Sequence, residues 1–205
     1  CNFINNVAGD GADGGCIFPR GDSWPEFYDC LFENNGHPNS DGGAIHFFSE
    51  GSSQPIIIEN CIFKNNKGKK GGAIFSNGRS NTLELVLNNC LFTDNSASDS
   101  EGGSALYLYD RTSISINECT FSNNISPQGP PSNYGGAVHV TEFADSFRMT
   151  NSIILGNLGS DIDLSSDDAL LINIEYSNIG NTSVQGSFGN YSNNISTDPL
   201  FVDSI

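Results

Sequence analysis

The residues best suited to chemistry in this chain are acidic: 24 Asp and Glu against 8 Lys and Arg give a net charge of −16. Several of them lie together in residues 10–13, 99–101 and 161–168. Oxygen-rich loops of this kind are potential calcium ligands. Asp161 and Asp163 are therefore calcium candidates, against the simpler interpretation of solvated acidic loops, and no other cofactor is indicated.

Paired carboxylates could also hydrolyse a glycosidic bond, for which two aspartates would face outward from adjacent strand positions. Residues 161–168 come nearest to such a pair, but we predict that they form an irregular, loop-like coil. A lyase would need an arginine or lysine beside an acidic calcium site. None of the arginines lies in a recognisable lyase motif. The sequence therefore predicts no catalytic residues and favours a non-enzymatic role.

The elements that position these residues come from an internal repeat, which is the strongest signal in the chain. The phrase Cys-x-Phe-x-x-Asn occurs five times, at intervals of about 30 residues. Its members are Cys1, Phe3 and Asn6; Cys30, Phe32 and Asn35; Cys61, Phe63 and Asn66; Cys90, Phe92 and Asn95; and Cys119, Phe121 and Asn124. A second phrase, Gly-Gly-Ala followed by Ile or Val, alternates with the first, for example at residues 71–74.

Each repeat predicts three short strands with one apolar face. In the fourth repeat, residues 83–87, 90–92 and 106–108 show a period of two, separated by turn residues. No segment has the 3.6-residue period of an amphipathic helix, which argues against helical repeats. Strands this short need neighbours, and stacking the repeats about 4.8 Å apart would turn every apolar face into one shaft.

The predicted fold is an all-β, right-handed, single-stranded parallel β-helix with three-strand rungs of about 29–33 residues. We expect one solenoid over residues 1–205, regular in 1–150 and divergent in 151–205. Asparagines would form its corners, because their backbone tolerates a positive φ and their amides bond between rungs.

The cysteines of the first phrase would stack in one column of the shaft. Six cysteines in a secreted chain usually suggest disulfides. Side chains in register on neighbouring rungs lie parallel, however, and a disulfide needs closer Cβ atoms. We therefore favour reduced, structural cysteines, with disulfides as the alternative.

An aromatic stripe is predicted on the outer face of the third strand of each rung, because strand side chains alternate between faces. It consists of Phe18, His46, Phe48, Phe75, Tyr107, Tyr109 and His139. An exposed stripe would bind a glycan or a protein. Alternatively, loops or a neighbouring domain would cover it. His46 and His139 are predicted to lie at the surface, three rungs apart and thus too far apart to share a metal.

The alternation of Phe-x-x-Asn with Gly-Gly-Ala-Ile/Val over residues 1 to about 150 resembles the repeats of chlamydial polymorphic membrane proteins. Three phrases, at residues 151–157, 174–179 and 198–203, resemble the closing coils of secreted bacterial proteins of the pectate-lyase-like superfamily. These resemblances imply secretion or surface display and contact with glycans or other molecules.

The favoured function is thus a secreted or cell-surface rod that presents a face to a glycan or a host or cell-surface protein. Other domains of a longer chain are further possible partners. The alternatives are a polysaccharide lyase or glycoside hydrolase, and a subunit of an extracellular fibre that self-associates end to end. The charge of −16 argues against nucleic acid as a partner, and no segment is apolar for long enough to insert into a membrane.

Overall fold

The computed structural model describes residues 1–10, 13–21, 23–48, 54–79, 82–100, 102–126, 136–141, 143–165, 171–180, 182–185 and 190–197. The described residues form 22 short strands, β1 to β22 in chain order, whose pairings are parallel. Among these residues there is no helix, and so none with the length and apolarity needed to cross a bilayer. The predicted all-β parallel solenoid is confirmed.

Three sheets form the walls of the solenoid, and each rung contributes one strand to each sheet, except that the first rung meets sheet B only through isolated bridges such as that of Ile17 to Ile45. Sheet A contains β1 (Asn2–Ile4), β3 (Leu31–Glu33), β6 (Ile62–Lys64), β10 (Leu91–Thr93), β14 (Thr120–Ser122), β17 (Ile153–Leu155) and β20 (Asn178–Ile179). Sheet B contains β4 (Ile45–Phe48), β8 (Ile74–Asn77), β12 (Leu106–Tyr109), β15 (Gly136–Val140), β18 (Ser160–Ser165) and β21 (Thr182–Gln185). Sheet C contains β2 (Phe27–Tyr28), β5 (Ile56–Glu59), β9 (Leu83–Asn88), β13 (Thr112–Asn117), β16 (Ser146–Thr150), β19 (Leu171–Glu175) and β22 (Asn190–Ser192). A separate two-stranded sheet pairs β7 (Lys67–Gly68) with β11 (Ser96–Ala97).

The shaft is filled by identical side chains stacked rung over rung. The repeat phenylalanines Phe3, Phe32, Phe63, Phe92 and Phe121 lie face to face, with successive ring centroids 4.7 Å apart and ring planes within 7° of parallel. The last four are completely buried, and each such side chain contributes about 1.5–3 kcal/mol through burial. Ile154 takes the next position in the register.

The repeat asparagines form a hydrogen-bonded ladder beside this stack. The Oδ1 atom of Asn66 accepts hydrogen bonds from the backbone N and the Nδ2 of Asn35, at 3.0 Å each, and its Nδ2 donates to the Phe32 carbonyl. The same pattern repeats at Asn95 and Asn124. The residue before each ladder asparagine has a positive φ, namely Asn5, Asn34, Asn65, Asp94 and Asn123. The ladder therefore supplies hydrogen-bond partners for backbone N–H and C=O groups at the corner, where the tight turn interrupts the pairing of the sheets.

The cysteine column closes the opposite corner, between sheets C and A. All six cysteines are free thiols. The Cys119 Sγ accepts a hydrogen bond from the Cys90 backbone N at 3.4 Å and donates to the Asn117 carbonyl at 3.2 Å. In the next rung, the Ser152 hydroxyl takes the place of the thiol: it accepts a hydrogen bond from Cys119 N and donates one to Thr150 O. The column is thus a polar corner group as well as an apolar filler.

Candidate functional site

The central part of the predicted aromatic stripe lies on sheet B, outside the shaft but under cover. Strand pairing places His46, Phe75, Tyr107 and His139 in one outward column. All four are buried, with 2–5% of their surface exposed. The prediction that His46 and His139 lie at the surface was therefore wrong, and for Phe75 and Tyr107 the alternative of a covered stripe holds in place of an exposed one.

The loops that enter β4, β8 and β12 explain the burial of His46, Phe75 and Tyr107. Gly42, Gly71 and Gly103 have positive φ values of 63–68° and turn the chain across the outward residue that lies four positions later. A Cβ atom on Gly103 would come within 2.8 Å of the Cβ of Tyr107. The Lys70 Nζ then lies 4.9 Å from the Tyr107 ring centre. Alternation predicts the direction of a side chain, but the loop decides its exposure.

The covered rings contact one another along the rod: His46 packs edge-on against Phe75, while Phe75, Tyr107 and His139 stack face to face. Successive ring centroids lie 4.7 Å apart between His46 and Phe75, 5.4 Å between Phe75 and Tyr107, and 4.7 Å between Tyr107 and His139. Phe75 and Tyr107 lie outside the core cluster of the shaft. The column is therefore a second packed layer, and it offers no open face to a ligand.

The two histidines of this layer have different surroundings. Burial lowers the pKa of His46 to about 4, although the nearby Asp13 carboxylate acts in the opposite direction. His46 is therefore neutral near pH 7 and acts as one more aromatic ring. The His139 Nδ1 atom lies 2.9 Å from Asp163 Oδ2, and both side chains are buried.

The calcium candidates Asp161 and Asp163 lie on strand β18, so the prediction of a loop over residues 161–168 was wrong for residues 161–165. The Asp163 carboxylate faces outward, because Ile162 and Leu164 on either side of it enter the core. Asp161 Oδ1 accepts a hydrogen bond from Asn157 Nδ2 at 2.6 Å and so terminates the asparagine ladder. Both aspartates are at most 3% exposed. In the described part of the chain, no three His, Cys, Asp or Glu side chains form a group that could hold a metal ion.

The open part of the outer wall carries five rings along sheet B, which we call the aromatic edge: Phe18, Trp24, Phe48, Tyr109 and Phe143. Phe48 and Tyr109 share a second outward column of sheet B, Phe18 packs against His46 at the end of the covered column, and the other two rings lie in connecting segments. Phe18, Phe48 and Tyr109 are partly exposed, while Trp24 and Phe143 expose 43% and 52% of their surface. The Phe143 ring packs edge-on against Tyr109, with centroids 5.8 Å apart. Trp24 and Phe18 line one hollow near the start of the chain.

Arginine side chains lie along this edge. The Arg20 guanidinium carbon is 5.4 Å from the ring centres of both Phe18 and Phe48, and that of Arg79 is 5.5 Å from Phe48. Such cation–π contacts hold a guanidinium flat on a ring while its edge stays available for hydrogen bonds. The edge is thus locally basic and aromatic in a chain of charge −16.

The sequence predictions for this edge were partial. Phe18, Phe48 and Tyr109 were in the predicted stripe, whereas Trp24 and Phe143 were missed because both lie outside the repeated phrases. The one available signal was their type, since a large aromatic residue in a polar connecting segment is unusual in this chain. Of the closing-coil phrases, residues 198–203 lie outside the described residues.

Comparison with protein families matches residues 1–121 to the right handed beta helix region and residues 118–141 to the Chlamydia polymorphic membrane protein repeat. The predicted resemblance to these repeats is confirmed. Comparisons with curated proteins and with solved structures found no match. The two family matches indicate a surface or secreted β-helix protein.

Proposed function

The chain belongs to the right-handed β-helix family, and on that premise we propose that it is a rigid, non-catalytic rod of the cell surface that binds a glycan through the aromatic edge. The observation that carries this proposal is the row of partly exposed rings on sheet B, with guanidinium groups laid over two of them. The rod supplies stiffness, and the edge supplies the contact.

The chemistry of the edge supports a sugar ligand. An exposed ring offers a flat apolar face to the C–H groups of a pyranose, and rings fixed by packing lose little conformational freedom on binding. Phe48 and Tyr109 lie two rungs apart, a distance of about 9.6 Å at the usual strand spacing. The guanidinium of Arg20 and the hydroxyl of Tyr109 lie where hydrogen bonds with ring hydroxyls would orient the chain of sugars.

The test is a glycan array with the wild type and the variant Phe48→Ala/Tyr109→Ala/Phe143→Ala. A matched control is Tyr28→Ala/Tyr176→Ala, which removes two rings that are 46% and 61% exposed elsewhere on the rod. Far-UV circular dichroism would establish that each variant is folded. Tyr107→Ala is unsuitable as a binding variant because Tyr107 is buried.

We expect glycan binding by the wild type and the control, and its loss in the triple variant. Binding that survives in a folded triple variant would refute a role for the edge. Failure of the wild type to bind any glycan would refute a glycan ligand and leave a protein partner for the same edge. Cleavage of a glycan on the array would replace the proposal with an enzymatic function.

A further inference from the structure

A polar groove lies on sheet C, on a different wall from the aromatic edge. It crosses strands β9, β13, β16 and β19 and has a volume of about 330 Å³. The side chains that line it are those of Glu84, Ser113, Ser115, Ser146, Arg148 and Asn173. All six point outward, because their neighbours in each strand are buried in the core.

The groove arises from a local change of side-chain size. The register aligns Glu84 with Ser113 and Ser146 in one column, and Ser115 with Arg148 and Asn173 in the next. The serines form a low floor, and the longer Glu84 and Arg148 side chains stand on opposite sides of it. Two rungs separate Glu84 from Arg148, which is about 9.6 Å along the rod.

The polar groups of the groove have no partners among the residues that the structure describes. In the described part of the chain, no hydrogen bond or ion pair engages the side chains of Glu84, Arg148 or Asn173, or the three serine hydroxyls. Elsewhere on this sheet, outward polar residues do bond to each other, as Thr150 does to Asn117 and Ser192 to Glu175. The groove is thus a concave surface with a carboxylate, a guanidinium, a carboxamide and three hydroxyls directed at solvent.

We propose that this groove is a second binding site, specific for a neutral mono- or disaccharide unit. A sugar hydroxyl both donates and accepts hydrogen bonds, so one ligand matches the acceptor Glu84, the donor Arg148 and the serines that do both. The volume lies at the small end of ligand sites, which are about 300–1,000 Å³. Such a volume suits one or two pyranose rings.

Charge selects the neutral class. A polyanionic glycan would meet Glu84 and a chain of net charge −16, and one arginine does not offset them. A cationic ligand would meet the Arg148 guanidinium on one side of the groove. An uncharged polyol satisfies both groups without placing like charges together.

The test is saturation-transfer NMR on the 205-residue chain with cellobiose, maltose, lactose and mannobiose, and with digalacturonate as the charged comparison. Arg148→Ala removes the guanidinium, and Ser115→Leu fills the floor. Ser122→Leu makes the same change at a partly exposed position on sheet A and is the matched control. The aromatic-edge variant Phe48→Ala/Tyr109→Ala/Phe143→Ala separates this site from the first.

We expect at least one neutral disaccharide to bind. Its affinity should fall tenfold or more in Arg148→Ala, which removes a hydrogen bond to a charged group, and in Ser115→Leu, which fills the floor. The affinity should not change in the other two variants. No transfer to any neutral disaccharide would overturn the proposal, as would stronger binding of digalacturonate. Binding lost only in the aromatic-edge variant would assign the sugar to the aromatic edge, overturning the groove while supporting the first proposal.

Discussion

The asparagine ladder should be the most sensitive polar feature of this fold, and Asn95 at its centre provides the test. The Asn95 side chain makes four hydrogen bonds: Oδ1 accepts from the backbone N and Nδ2 of Asn66, at 3.0 and 2.9 Å, and Nδ2 donates to Phe63 O at 2.9 Å and Asn124 Oδ1 at 3.0 Å. Asn95 is completely buried, so water cannot replace these partners.

The expected cost of Asn95→Ala follows from what the change leaves behind. The Asn66 backbone N loses its acceptor inside the protein, which costs about 1–3 kcal/mol for an unsatisfied buried group. The other three hydrogen bonds involve groups that either keep a second partner or bond more weakly afterwards. Their loss costs about 0.5–1.5 kcal/mol for each bond. We therefore expect the free energy of unfolding to fall by about 2.5–7.5 kcal/mol, a large share of the 5–15 kcal/mol typical of a domain.

Asn95→Asp separates hydrogen bonding from size, because it preserves shape and the acceptor for Asn66. It replaces the amide donor with oxygen, directed at Phe63 O and Asn124 Oδ1. Burial and these acceptors should raise the pKa of the introduced carboxyl above its unfolded value. A raised pKa of an acid means that the folded state binds more protons, so this variant should be least stable near neutral pH and recover as the pH falls.

The assay is urea unfolding followed by far-UV circular dichroism, with Asn88→Ala as the control. Asn88 is a partly exposed asparagine of sheet C, and its substitution should change stability by no more than about 0.5 kcal/mol. If Asn95→Ala cost no more than Asn88→Ala, the ladder would contribute nothing beyond shape and the reasoning would be refuted. If Asn95→Asp became less stable on acidification, the sign of the electrostatic argument would be wrong.

Three further predictions concern the corner column and the covered histidine. Cys119→Ser should change the free energy of unfolding by less than about 1.5 kcal/mol, whereas Cys119→Val should cost about 1–3 kcal/mol more because Cys90 N loses its acceptor. Urea unfolding under reducing conditions measures both costs, and equal costs would contradict this prediction. The hydrogen bond with Cys119 raises the pKa of Cys90 to about 12, and the column is buried, so Ellman's reagent should label Cys1 and then Cys16 in the folded chain, and rapid labelling of a third thiol would be the contrary result. Burial lowers the pKa of His46 from 6.5 to about 4, so between these pH values the unfolded state binds one more proton than the folded state. The free energy of unfolding should therefore fall as the pH drops from about 6.5 towards 4. His46→Phe should flatten that slope, and an unchanged slope would count against His46 as its source.

The repeat made most of the fold predictable. Side chains of one kind every 30 residues can share an environment only if the rungs stack, so the phenylalanine column, the asparagine corners and the parallel sheets follow from one inference. Exposure on the outer wall was less predictable, because it depends on where the Gly-Gly loops run. The pattern predicted that Tyr107 points out of the shaft, but it contained no information that the loop at Gly103 crosses it.

The error at residues 161–165 was avoidable. Asp161-Ile162-Asp163-Leu164 alternates polar and apolar residues, which is the pattern of a strand with one buried face. The density of aspartates obscured the alternation. The environments of Asp161 and Asp163 could not have been inferred in the same way. Their hydrogen-bond partners, Asn157 and His139, become neighbours only after the chain has folded around the solenoid.

Asp161 also shows how position in a stack selects residue type. An internal rung such as Asn95 must accept from the previous amide and also donate two hydrogen bonds, which a carboxamide can do and a hydroxyl, with a single donor, cannot. Asp161 only needs to accept from Asn157, so a carboxylate suffices there. In a solenoid, identical residues are therefore evidence of stacking, and departures from identity mark positions that stacking does not constrain. Trp24, Phe143 and Arg148 are such departures, and they lie in the aromatic edge and the polar groove, which is where a rod built from repeats is free to acquire a ligand.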